Sequence, residues 1–441
     1  MSQTVRQLKF GLFLQAAGHH VAGWRHHEAQ AGSENFELIQ QLAQTAERAK
    51  FDMVFLADGL TTSPDSPASV VARFEPITLL AALSKVTERI GLAVTASTTY
   101  YEPFNLARLL ASVDLLSRGR AAWNVVTTST LSAAQNFNRD QHEEHGIRYE
   151  RAEEFVEVVK GLWDSWEEDP YIVNKTTGDY IDRNKLHTLN HAGKYYSVKG
   201  PLNVTRSPQG HPVVIQAGSS DTGQDLAARI GEVVFTAQQT LEEAQLFYSS
   251  LKGRLQQYGR SPEHLLILPG LLPVIGKTER EARDKYEYLQ SFVDDSRAIA
   301  SLSERFQFDL SGYSLDDQLP DIPESNGRKS RPQLLLNLAR REGLTLRQLY
   351  KEVAGARGHR IVVGTPVQIA DHIEKWFAGN GADGFNIMPP YVPGGLEDFV
   401  DGVIPELQSR GLFRTEYEGR TLRENLGLPI PVNRYTRVET K

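Results

Sequence analysis

The chain contains no cysteine. Disulfides, thiolate metal sites and cysteine nucleophiles are therefore excluded, and a reducing compartment fits. No Gly-x-Gly-x-x-Gly follows a strand-like run, and no Gly-x-x-x-x-Gly-Lys-Ser/Thr occurs. A dinucleotide-binding half and a P-loop are thus unsupported. Long apolar runs are also missing: the longest, residues 265–275, is broken by Pro269, Gly270 and Pro273. It is too short to span a bilayer, and the N-terminal residues show no cleavable secretory pattern. Positive charge is not in excess: 48 Lys and Arg stand against 55 Asp and Glu, for a net charge of −7. Nucleic-acid binding through bulk charge is argued against. A cytoplasmic protein without membrane attachment is the expectation.

What is present is a globular composition, 40% hydrophobic and 23% charged over 441 residues. That suits one large α/β barrel or two domains. Apolar runs at residues 8–15, 51–58, 90–97, 121–126, 212–218, 233–238, 265–275 and 384–390 read as eight strands. Nearly every one is followed by a helical pattern, and such βα repetition predicts a (β/α)8 TIM barrel. Ser33 is expected to cap the first helix, through Lys50. Two polar stretches, residues 169–208 and 298–358, interrupt the rhythm as long insertions, the first containing a short hairpin. Residues 411–441 form a tail with too much Pro and Gly for another layer. A single domain over residues 1–441 is expected.

In such a barrel the active site lies at the C-terminal ends of the strands. That places His19 and His20 after the first strand, Asp58 after the second, and Thr95 and Ser97 at the third. Asn124, Thr127 and Thr128, within a hydroxyl cluster that includes Ser129 and Thr130, end the fourth. The loop beyond it carries His142, His145, Arg148 and Tyr149, ahead of a helix with an acidic first turn. In Ala-Gly-Ser-Ser-Asp-Thr-Gly (residues 217–223) a strand ends in Gly and two serines open a helix. Backbone N–H groups and the hydroxyls of Ser219 and Ser220 then converge where a phosphate can sit; a plain serine N-cap is the competing reading. His145 and Tyr149 can close on the same phosphate.

His142-Glu143-Glu144-His145 departs from the zinc-binding His-Glu-x-x-His, and the adjacent pairs His19-His20 and His26-His27 diverge in extended chain. A metal-dependent barrel hydrolase is the alternative class, although hydroxyls, amides, Gly and His suit a flavin-sized ligand better. Tyr100, Tyr101, Phe104 and Phe137 suit an aromatic pocket or core packing equally. Arg25 and the basic run at residues 328–331 suit an anionic substrate or a solvated face.

The motif order resembles the bacterial-luciferase-like flavin monooxygenases, within them the nitrilotriacetate, dibenzothiophene-sulfone, pristinamycin IIA synthase and long-chain alkane monooxygenase group. The resemblance rests on GHHVAGWRH, FDMVFLAD, AVTASTTYYEPFNLAR, SRGRAAWNVVTT, NFNRDQHEEHGIRYERAEEF, HAGKYYSVKGPLNV, PVVIQAGSSDTG, GTPVQIADHI and LGLPIPVN, which span nearly the whole chain. It implies reduced FMN (FMNH2) bound non-covalently, with O2 oxygenating a small substrate. It further implies a separate NAD(P)H:flavin reductase and a homo-oligomer. Asp58, Thr95 and Ser97 would line the flavin ring, with Asn124 and Thr127 beneath it. His145, Tyr149, Ser219 and Ser220 would hold the phosphate, and His20 or His19 would face the reacting edge. Some relatives carry a cysteine in the first loop; its absence here means no thiol role transfers. A flavin-binding barrel without turnover is a further alternative.

Overall fold

The computed structural model describes residues 6–30, 32–64, 66–128, 130–322 and 330–436, with no account of the Ser330 side chain. Ser129 and, of the basic run, Arg328 and Lys329 lie outside the described residues. Eight strands are all parallel to their neighbours and close into a barrel. They are β1 (Lys9–Phe13), β2 (Met53–Leu56), β3 (Gly91–Ser97), β4 (Ala121–Val126), β5 (Val213–Gln216), β6 (Val233–Thr236), β7 (Leu266–Ile275) and β8 (Gly384–Ile387). A further strand, Arg360–Gly364, pairs in parallel with the second half of β7. The fold is a (β/α)8 barrel with long insertions.

Alternation along each strand separates two cores, because successive side chains point to opposite faces. Leu12, Val54, Leu92, Val94, Trp123, Val214, Phe385 and Ile387 face outward, into the core beneath the helices. Phe13, Met53, Phe55, Ala93, Ala122, Val213, Ile215, Val233 and Leu268 face the barrel interior. Thr95, Ser97 and Asn124 share the parity of the inward residues, so the upper interior turns polar as β3 and β4 end. An apolar interior that turns polar only at the strand ends makes the barrel a packed body with a polar mouth.

The helices follow local chemistry. The first, Phe36–Arg48, is capped by Asn35, whose side chain accepts from Leu38 N; Ser33, the expected cap, instead donates to Ala68 O at 2.9 Å. The helix after β4 runs His145–Trp163 and has no acidic residue in its first turn. The loop is thus shorter than expected, and His145, Arg148 and Tyr149 are helical. The first insertion contains the antiparallel hairpin His191–Ala192 with Ser197–Val198. The second carries helices Ala298–Phe306, Ser330–Glu342 and Leu346–Ala356 around a small core of their own.

The tail does more than its composition suggests. Its short helix Leu422–Leu426 lies under the barrel, and Leu422, Leu426 and Leu428 join the interior core. A Cβ on Gly91 would stand 2.5 Å from Leu422 Cδ1, so the first residue of β3 has to be glycine to admit this plug. Arg423 is fully buried, pairs with Glu232, and donates to Gln209 O (3.2 Å), His211 O (3.1 Å) and Pro429 O (3.0 Å). A buried arginine with its fork filled in this way holds the tail to the start of β5 and β6.

Candidate active site

The mouth of the barrel brings together side chains from β1 to β6 and from the second insertion. At β3 and β4, Asn124 Nδ2 donates to Thr95 Oγ1 at 2.9 Å. Asn124 is 3% exposed, yet its Oδ1 finds no partner among the described residues. A buried carbonyl oxygen left unpaired is costly and calls for a ligand donor. Thr128 Oγ1 donates to Ser97 Oγ at 2.7 Å, and Arg148 Nη1 donates to Thr128 O at 3.0 Å, tying the end of β4 to the following helix. Thr127 stands half-buried beside them.

After β1 the chain turns back over the mouth, where His19 N donates to Pro389 O and His20 N to Pro390 O. Gly18 makes this possible: its φ is 76°, and a Cβ there would lie 2.5 Å from Pro390 O. Both histidines are 1% exposed. His19 Nε2 donates to Phe13 O at 2.7 Å, and His20 Nδ1 accepts from Ala22 N at 3.1 Å. Their remaining nitrogens, His19 Nδ1 and His20 Nε2, find no partner among the described residues. Burial pushes His19 down to about 3, with help from the charge of Arg357, and His20 down to about 4. Both rings are therefore neutral at physiological pH. His19 also packs edge-on against Phe13, 4.4 Å between centroids, and Phe13 meets Phe55 and Phe235 at 5.2 and 5.4 Å. The two histidines thus differ in setting: His19 touches this aromatic floor, and His20 packs under the β8 loop.

Asp58, after β2, is half-buried and accepts from Gly59 N at 2.8 Å. Burial raises its carboxyl, with that bond and the charge of Arg73 opposing. Ser220 is the N-cap of the helix Asp221–Ile230, its Oγ accepting from Gly223 N at 3.1 Å. The cap uses the oxygen as acceptor and leaves the hydroxyl hydrogen available. Ser219 Oγ lies 3.1 Å from Thr236 Oγ1 of β6. Gly218 has no room for a side chain, since a Cβ would sit 2.6 Å from Gln216 Nε2 and 2.9 Å from Gly223 Cα. β4 and β5 are neighbours, so this helix start and the His145–Tyr149 turn open on the same face. Within that turn the rings of His145 and Tyr149 meet tilted, 4.7 Å between centroids.

Other expectations divide. Tyr100 stacks on Phe137 at 4.4 Å and its hydroxyl lies 3.4 Å from His142 Nδ1, whereas Tyr101 and Phe104 pack on the core. Among the described residues, only His26, His27 and Glu28 bring three possible metal-ligand atoms within 4.8 Å of one another. His26 there is stacked on Tyr391 at 3.8 Å.

Several mouth residues were not singled out from the sequence. Gln216 accepts from Gly218 N at 2.6 Å, Thr236 meets Ser219, and His359 stacks on Phe235 at 5.0 Å. Gln15 receives Arg357. Gln15, Gln216 and Thr236 sit at strand ends and were visible there as polar terminators. Arg357 and His359 come from an insertion, where strand rhythm gives no signal.

The luciferase-like monooxygenase family model matches residues 9–384 of this chain. The chain belongs to that family. It is 55% identical to the N-acetyl-S-(2-succino)cysteine monooxygenase of Bacillus subtilis (strain 168), over 99% of this chain and 100% of that protein. It is 50% identical to nitrilotriacetate monooxygenase component A of Aminobacter aminovorans, over 97% and 98%. Riboflavin lyase, solved with modified FMN and riboflavin, superposes with a TM-score of 0.86 at 33% identity over 96% of each chain. Membership makes this luciferase-like barrel a flavin-dependent monooxygenase, which displaces the hydrolase alternative.

Proposed function

We propose that this luciferase-like chain is the oxygenase component of a two-component system. It takes reduced FMN from a separate NAD(P)H:flavin reductase and uses O2 to oxygenate a small organic substrate in the cytoplasm. The relative named as a component A supports a partnered arrangement. The observation that carries the site assignment is the set of buried, unpaired polar atoms at the mouth: Asn124 Oδ1, His19 Nδ1 and His20 Nε2. Beside them stand hydroxyls with hydrogens to donate, which fits a flat polar ring better than a cation.

Ser219, Ser220 and the first N–H groups of the helix Asp221–Ile230 hold the phosphate, with His145 and Tyr149 closing on it. Here helix dipole and hydroxyl donors act together on one anion. Asn124, Thr95, Ser97, Thr127 and Asp58 position the polar edge of the ring. His19 and His20, kept neutral by burial, offer one free ring nitrogen each to orient the reacting edge without adding charge. Phe13, Phe55 and Phe235 keep water from beneath it. When bound, reduced FMN supplies the two electrons with which O2 is divided between product and water.

The test is direct: purified protein is given FMNH2, O2 and a panel of small organic acids, sulfides and alkanes. A product heavier by one oxygen atom supports the reading. Oxygen consumption that yields only H2O2 with every compound would reduce the chain to a flavin binder.

A further inference from the structure

One positive charge at the mouth has no use in the flavin assignment. Arg357 follows the helix Leu346–Ala356 and adopts a left-handed backbone, φ 55°, as its C-cap. Glycine is the ordinary occupant of such a position, and Gly358 comes next with φ 85°. Keeping an arginine there has a conformational cost that glycine would not incur, and such strain gathers at functional sites.

The side chain reaches Gln15 at the end of β1, Nη2 to Oε1 at 3.3 Å, and the Ser69 hydroxyl. It makes no ion pair among the described residues, and the charges acting on it are those of Arg305 and Arg73, both positive. Burial pushes its guanidinium down to about 10. Yet the residue keeps part of its surface in solvent, as a group lining a recess does. Gln15 and Ser69 line a crevice beside the mouth with Ala57, Arg73 and Phe74. A cation enclosed without a counter-charge is unfavourable until an anion enters.

The barrel topology separates this charge from the phosphate site. β1 and β5 lie on opposite sides of the eight-strand ring, and the guanidinium of Arg357 reaches Gln15 on the β1 side, while its neighbour Gly358 accepts from Gln239 beyond β6. We propose that Arg357, with Arg73, forms a carboxylate-binding subsite for the substrate, which is therefore a small organic acid. The planar fork of a guanidinium matches a carboxylate in two parallel hydrogen bonds. This inference rests on the flavin assignment above, which places the cofactor phosphate at β5.

The probe is tricarballylate, titrated calorimetrically into FMN-loaded protein, with its uncharged triamide as control. Wild type binds the acid and not the amide. R357Q and R357G weaken acid binding by about 10- to 150-fold, the range for a lost charged hydrogen bond, and leave FMN affinity within about twofold. R357G also melts no lower than wild type, because it removes both the left-handed strain and the unpaired charge. Equal binding of acid and amide, binding of neither, or acid binding undiminished in both variants overturns the proposal. Loss of FMN affinity in the variants would assign Arg357 to the cofactor instead, and a lower melt for R357G with acid binding intact would make it structural. Failure of wild type to bind FMN would defeat the flavin reading itself, a separate result.

Discussion

At the scale of single residues, the phosphate assignment and the neutral histidines are the exposed points. Tyr149→Phe and a Ser219→Ala/Ser220→Ala double variant are each expected to weaken FMN binding. Losing a hydrogen bond to a charged group, worth about 1.5–3 kcal/mol, gives about 10- to 150-fold. Riboflavin has no phosphate, so its affinity should hold; titrating both flavins against each variant checks this. Because Ser220 also caps its helix, the double variant should in addition lose about 1 kcal/mol of stability. Equal weakening of both flavins would move the phosphate elsewhere. His20 supplies a pH test. Its folded-state pKa of about 4 lies below its ordinary value of 6.5. Its neutral burial therefore stabilises the fold fully above pH 6.5, and that contribution is lost as pH falls through the folded value. Asp114, held up near 6 by burial, acts in the opposite sense. The measurement is therefore the difference between wild type and His20→Gln. Denaturant melts should show the variant losing less stability from pH 6.5 to 4, by up to about 1.4 kcal/mol per unit.

At the scale of elements, the tail is the part whose role is least like its sequence. Leu422 is completely buried against β3. Leu422→Ala should lower stability by about 2–5 kcal/mol, the range for truncating a packed core leucine. Val432→Ala, at a tail residue 72% exposed, should change little. Chemical denaturation of the two variants separates a structural plug from a loose terminus. The second insertion is likewise more than a covering. It builds its own core and then delivers Arg357 and His359 into the mouth, so its position and the site's composition are one matter.

At the scale of the whole molecule, the division of labour between chains can be measured. No Gly-x-Gly-x-x-Gly follows a strand in this chain, and the occupants proposed for its mouth are a flavin and a small acid. The chain alone should therefore oxidise NADH at no more than background rate, with turnover appearing when a flavin reductase and FMN are added. Following NADH absorbance with and without the reductase checks this. Rapid oxidation by the chain alone would overturn the two-component arrangement.

The sequence by itself carried the barrel, because each strand's apolar run and the helical spacing after it are local signals that survive without neighbours. It also carried the strand-end residues Thr95, Ser97, Asn124, Ser219 and Ser220, since a barrel always places them at one face. Other outcomes depended on contacts between segments 20 or more positions apart. Asn35 caps the first helix while Ser33 donates to Ala68, and Arg148, in the first turn of the helix that starts at His145, donates to Thr128. Leu422 became core only because Gly91 leaves a space for it, and a Pro- and Gly-rich stretch shows no periodicity to announce that. Arg357 entered the mouth because an insertion with a core of its own ends there. Local propensity is written in neighbouring residues, whereas burial, unpaired charge and the partners of a hydrogen bond exist only once distant segments meet.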